Sequence, residues 1–229
     1  MADYEVSAFL ESYATALGPE PDEVIAEMGA QAREEGFPYV GPAVGGWLAM
    51  LARFADAERV FEFGSGFGYS AYWFARELPA DGEVVLTEID EEELDQAREY
   101  MDRGGLADRA AFEHGDAIET IEAYEGPFDV VLVDCQKERY AEAFEAVREK
   151  VAPGGIVAAD NAVAGGSIDA GDLRAYFEDG SAAGGADRSG MNGMTEGIAD
   201  YLDAVAVDAA FETTLLPLGE GVAVSQRER

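Results

Sequence analysis

The stretch Arg59–Ser70 limits the fold more than any other part of the chain. An apolar run there reaches a carboxylate, Glu62, and three glycines follow at alternate positions, Gly64, Gly66 and Gly68. A helical pattern opens directly after them and runs over 69–78. This order reads as a buried strand, a tight turn and a helix start. Glycine serves where backbone must take φ > 0 or approach a ligand closely. The helix start adds free N–H groups and the positive end of the helix dipole. The turn is therefore a seat for a nucleotide-like ligand, and Glu62 stands where an ammonium group can be held. Its G-x-G-x-G spacing differs from the G-x-G-x-x-G of dinucleotide-binding folds, which disfavours a nicotinamide dehydrogenase.

From Arg59 onward the chain alternates. Strand patterns fall at 59–63, 83–88, 109–113, 128–134 and 155–160, and helical ones at 69–78, 91–103, 116–123 and 138–151. Alternation with short loops predicts an α/β fold with a doubly wound, mostly parallel sheet. Helical periodicity at 4–17, 21–35 and about 43–55 predicts a cap over 1–56, ahead of a core over 57–229, the whole forming a single domain. Beyond the core strands come a short helix near 169–178, an insertion of loop composition at about 179–194 and a helix at 195–207. The insertion, with Met191 and Met194, is read either as a lid over an acceptor or as a surface loop.

In such a sheet, ligands bind outside the carboxyl ends of the strands. The second strand ends in Glu88 and Asp90; the carboxylate of Glu88 suits a pair of ribose hydroxyls, and Asp90 suits the N-cap of the next helix. The third leads to Asp116, which can bond an adenine amino group, cap a helix, or both. His114, the one histidine, reads as exposed or structural. The fourth strand ends in Asp134 and the fifth in Asp160 and Asn161. Two carboxylates and an amide at adjacent strand ends form a hard-oxygen set suited to Mg²⁺ or a similar ion. Each alone has a simpler reading as a cap or turn residue; together, beside Lys137, they point to a metal site.

Composition bounds the setting. The chain has 48% hydrophobic residues, enough for a core, no apolar run of membrane-spanning length and no apolar signal core at its start, so a cytoplasmic protein is expected. Its one cysteine, Cys135, excludes an internal disulfide and a cysteine zinc cluster, and reads as a small packed residue. The formal net charge is −33, carried with only two lysines, Lys137 and Lys150, against thirteen arginines. Acidic surface, scarce lysine and abundant alanine and glycine read as adaptation to concentrated salt, which screens self-repulsion.

Three blocks carry a family resemblance: Glu62–Ser70, Val133–Tyr140 and Ala159–Asn161, with Tyr39–Pro42 as a fourth loop. Over about 37–165 the chain resembles the metal-dependent O-methyltransferases, which include catechol and caffeoyl-coenzyme A O-methyltransferases. The resemblance implies a Rossmann-like methyltransferase fold: a seven-stranded, mostly parallel sheet whose last strand is antiparallel, closed by the pair 211–218 and 221–225. It implies S-adenosylmethionine as cofactor, Mg²⁺ or another divalent cation, a small hydroxyl acceptor and a homodimer. Carried over, Glu62 would hold the methionine ammonium, with Gly64 and Ser70 lining that end and Val40 contributing backbone. Glu88 would bind the ribose, and Asp116 and Ala117 would flank the adenine; Gly66, Gly68 and Asp134 complete the donor side. Asp134, Asp160 and Asn161 would ligate the metal, and Lys137 would be the general base. Catechol enzymes have histidine and tryptophan where Cys135 and Gln136 stand, so the substrate wall differs, and the catechol-side carboxylate has no match in this sequence.

Lysine can take a proton if its surroundings lower its pKa, which arginine cannot easily do. Two other readings compete. Relatives methylate a hydroxylated wobble uridine of tRNA, although no basic patch supports RNA binding here. The other is a non-catalytic S-adenosylmethionine- or nucleotide-binding protein, against which the intact set Asp134, Lys137, Asp160 and Asn161 speaks.

Overall fold

The computed structural model describes residues 2–178, 188 and 190–229. Three helices lead: α1 Ala2–Leu17, α2 Glu23–Glu35 and α3 Gly41–Phe54. The alternating part follows as β1 Arg59–Phe63, α4 Tyr69–Glu77, β2 Glu83–Glu88, α5 Glu91–Arg103, β3 Ala110–His114, α6 Ala117–Glu122, β4 Phe128–Val133, α7 Tyr140–Val147 and β5 Val151–Ala159. The chain closes with α8 Ala170–Glu178, α9 Gly193–Val207, β6 Phe211–Leu216 and β7 Val222–Arg227. The strands form one seven-stranded sheet of order β3-β2-β1-β4-β5-β7-β6. Strands β1 to β5 pair in parallel, and β7 runs antiparallel to both β5 and β6. This is the Rossmann-like methyltransferase sheet that the resemblance implies.

The central strands are buried on both faces, as parallel strands are when helices cover each side. Along β1, Val60 faces one core and Phe61 and Phe63 the other. The first core packs α2–α5 on Val60, Leu86, Val130 and Leu132. The second packs α6–α9 on Phe63, Val131, Val133 and Val157. Helices α2 and α3, part of the expected N-terminal cap, join the layer that covers the sheet on the side of the first core. Among the described residues, no helix is long and apolar enough to cross a membrane.

Two predicted boundaries move. The fifth strand begins at Val151, before its predicted start, because Phe128 pairs with Val151 ahead of a register shift. The helix expected over 138–151 is broken: a 3-10 turn at Lys137–Arg139 precedes α7, and another follows at Arg148–Lys150. Side chains three apart eclipse in a 3-10 turn, which sets Lys137 over Tyr140.

Candidate active site

The carboxyl ends of β1, β2, β4 and β5 open into one cavity of about 850 Å³. Its lining includes Val40, Gly64, Gly66, Ser70, Glu88, Asp116 and Ala117 on one side, and Asp134, Lys137, Asp160 and Asn161 on the other. Glu62 and Gly68 lie behind the wall.

The first side is built largely from backbone. Gly64, Gly66 and Gly68 all have positive φ, 82°, 50° and 84°. Gly64 also permits a close crossing: a Cβ there would lie 2.6 Å from the Asp134 carbonyl oxygen. Glu88 clamps the turn, accepting from Gly66 N at 2.8 Å through one oxygen and from Ile89 N at 2.7 Å through the other. Asp90 caps α5 as expected, accepting from Glu92 N. Asp116 caps α6 through Ile118 N at 2.8 Å and receives Arg139 on its second oxygen. The guanidinium holds its carboxyl below the usual range, helped by the cap bonds.

Beneath this turn Glu62 is fully buried. Ser70 Oγ donates to Oε1, while Oε2 has no partner. Burial pushes its carboxyl up to about 8, against the pull of Ser70. A buried carboxylate oxygen without a donor is costly, and a cationic ligand group reaching past Ser70 would relieve it.

The opposite rim is built from side chains. Lys137 Nζ donates to Asp134 Oδ1 and to Tyr140 Oη, each at 2.7 Å. Tyr140 is buried, and its hydroxyl lies 3.1 Å from the Asp160 carbonyl oxygen. Asp160 is buried too, and its Oδ1 has no partner. Burial, then the neighbouring Asp134, push the Asp160 carboxyl up to about 7. Asn161 takes φ 56° and donates its amide nitrogen to Glu220. Among the described residues, no three His, Cys, Asp or Glu converge to hold a metal. The set at this rim is instead two carboxylates and an amide. An orphaned Asp160 oxygen beside a second acid fits a hard divalent cation, which would supply the missing charge.

The O-methyltransferase family profile matches residues 23–228. The chain belongs to the O-methyltransferase family.

Its relatives include catechol O-methyltransferases. That of Niastella koreensis is 34% identical over 158 residues, 66% of this chain and 71% of that protein. That of Mycobacterium tuberculosis is 33% identical over 165 residues, 72% and 74% of the two chains. A caffeoyl-CoA O-methyltransferase of Petunia hybrida is 26% identical over 192 residues, 80% and 74%. Among solved structures, an O-methyltransferase of Bacillus cereus in complex with SAH superposes with a TM-score of 0.78 at 22% identity, covering 98% and 99% of the chains. At that identity the likeness speaks for the fold.

Several residues at this candidate site have no role assigned from the sequence alone. Tyr140 stands three positions after Lys137, a spacing that was visible. Glu220 reaches the rim from the β6–β7 turn and is 59 positions from Asn161 in the chain, so nothing local announces it. Arg139, which pairs with Asp116, and Glu93 also line the cavity. Burial, with Glu88 and Asp90 nearby, raises the Glu93 carboxyl to about 7. Burial pushes the Cys135 thiol up to about 12. His114 is exposed and lies 3.1 Å from the Ile89 carbonyl oxygen, a structural contact as expected. Of the 179–194 insertion, residues 179–187 and 189 lie outside the described residues; Met194 lines the cavity and Met191 packs on the second core.

Proposed function

We propose that this O-methyltransferase uses S-adenosylmethionine and a divalent cation, Mg²⁺ or a similar ion, to methylate a hydroxyl of a small catechol-like or vicinal-diol acceptor. The observation that carries the reading is the joining of two unlike ends in one cavity. A glycine turn over the orphaned Glu62 lies at one end, and Asp134, Asp160, Asn161 and Lys137 lie at the other. Its volume of about 850 Å³ is near the top of the usual ligand-pocket range of about 300–1,000 Å³, which suits a donor and a small acceptor together.

Glu62 and Ser70 hold the amino-acid end of the donor, Val40 and Gly64 line it, and Glu88 takes the ribose with its remaining lone pairs. Asp116 and Ala117 flank the adenine. Asp134, Asp160 and the Asn161 amide oxygen hold the ion. When bound, that ion lowers the pKa of an acceptor hydroxyl and fixes its direction, and the donor offers a methyl group on a sulfonium. Lys137, held by Asp134 and Tyr140, stands at the rim to accept the hydroxyl proton. Holding the two partners in line supplies much of the acceleration. Glu220 and Met194 shape the acceptor side, where Cys135 and Gln136 replace the larger residues of catechol enzymes.

A methyl-transfer assay in strong salt against a catechol panel and unmodified tRNA, with and without Mg²⁺, tests this. Methylated catechol that appears only with the ion is expected. Full activity in excess chelator overturns the metal assignment, and methylated tRNA alone overturns the acceptor class.

A further inference from the structure

The hydroxyl of Tyr140 meets three parts of the rim at once. It lies 2.7 Å from Lys137 Nζ, 3.1 Å from the Asp160 carbonyl oxygen and 3.3 Å from Asp134 Oδ1. The ring is fully buried against Tyr201, with centroids 5.8 Å apart, so the hydroxyl does not wander. Helix α9 locks the turn from outside, because a Cβ on Gly197 would collide with the Lys137 carbonyl oxygen.

The consequence concerns where the lysine amine rests. With Asp134 Oδ1 as its one partner, at 2.7 Å, an ammonium on a flexible stem would be free to pivot about that oxygen. The Tyr140 hydroxyl offers a second acceptor at the same distance. Its own proton has the Asp160 carbonyl to go to, so its lone pair faces the amine. Both protein contacts to Asp134 from this group fall on Oδ1.

We infer that Tyr140 is a positioning residue: its hydroxyl, together with Asp134 Oδ1, fixes the Lys137 amine at the rim and aims it at the acceptor. This rests on the proposed role of Lys137 as base. Tyr140 is not among the residues that line the cavity, so its hydroxyl acts through the groups it holds, the lysine amine first.

The composition supplies a direct probe. Lys137 and Lys150 are the only lysines, so ¹⁵N-lysine labelling gives two side-chain amine signals. Lys150 is an internal control, its Nζ donating to the Tyr124 carbonyl at 2.8 Å, far from the rim. In the ligand-free protein, Tyr140→Phe is expected to shift the Lys137 amine signal and hasten its hydrogen exchange, leaving Lys150 unchanged. Phenylalanine keeps the buried ring, and an unchanged melting temperature confirms that the core is intact. In turnover, the same variant is expected to lose about tenfold in kcat, the scale of one hydrogen bond to a charged group, with the Kd for S-adenosylhomocysteine unmoved. Wild-type Lys137 signal and wild-type kcat in Tyr140→Phe overturn the inference. If Lys137→Ala keeps full activity, the reading of the lysine as base falls instead, and the Tyr140→Phe amine shift still reports whether the hydroxyl positions it.

Discussion

The two ends of the cavity are made differently. At the donor end, backbone does the shaping: positive-φ glycines, a strand crossing that excludes any Cβ at Gly64, and Glu88 tied to Gly66 N. At the acceptor rim, side chains from four separate elements converge, and Asp160 keeps an unpartnered oxygen. The donor end is thus fixed by local chain geometry, whereas the rim is an electrostatic arrangement of side chains brought together by the fold. Changes at the first should show as lost binding and stability, and changes at the second as lost turnover.

The largest expected effect acts on the frame both ends share. With a net charge of −33, self-repulsion is screened at molar salt, where the Debye length is about 3 Å, and not at about 0.01 M, where it is about 30 Å. Structure is expected to be lost at millimolar salt, followed by circular dichroism on heating. A melting temperature equal in molar and millimolar salt removes the halophilic reading. If S-adenosylhomocysteine still binds where turnover has vanished, the contrast between the ends is sharpened.

Next comes Asp160→Ala. Loss of an ion worth several kcal/mol to the reaction corresponds to about a thousandfold or more in kcat, with donor affinity kept within about twofold. Calorimetric titration of S-adenosylhomocysteine beside the turnover assay checks both numbers, and equal losses in the two would break the division. Gly64→Ala should do the opposite. A left-handed residue costs about 1–3 kcal/mol, and the contact with the Asp134 carbonyl adds to it, so denaturant unfolding should show about 3 kcal/mol lost. Donor binding should fall with it.

The subtlest test is Glu62. Burial pushes its carboxyl from the ordinary 4.5 up to about 8 in the folded chain. The fold therefore favours the protonated form, and the stability this contributes is fully present below about 4.5 and lost as pH rises through about 8. Glu62→Gln should raise the melting temperature of the ligand-free protein at pH 8 by about 5 °C. It should also weaken donor binding. In the wild type at pH 7, binding an ammonium group should release nearly one proton, seen by calorimetry in buffers of different ionisation heat. No proton release would remove Glu62 from the donor site.

The same contrast explains what the sequence disclosed. The donor end was legible because its parts are contiguous: Glu62 through Ser70 spell strand, turn and helix, and Asp90 and Asp116 cap the helices they precede. The sheet followed from the alternation. At the rim, Asp134, Asp160 and Asn161 were legible because each ends a strand. Their partners were not. Glu220 depends on how β7 lies along β5, and the seat of Lys137 depends on Gly197 in a helix far along the chain. Such contacts are set by tertiary packing, which no local pattern encodes. The predicted helix over 138–151 erred for a related reason, since periodicity does not reveal that its first turn tightens beneath α9.

The β6–β7 turn carries one more consequence. Val163 N and Ala164 N donate to the Glu220 carbonyl, and Ala162 N to that of Gly221. The segment just after Asn161 is thus held by strands made last. During synthesis, the glycine turn can form while the ribosome is still extending the chain, but the rim stays unfinished until the β6–β7 hairpin adds β7 to β5 and β6 becomes the sheet edge. A nascent or C-terminally clipped chain would hold its donor before it could spend it.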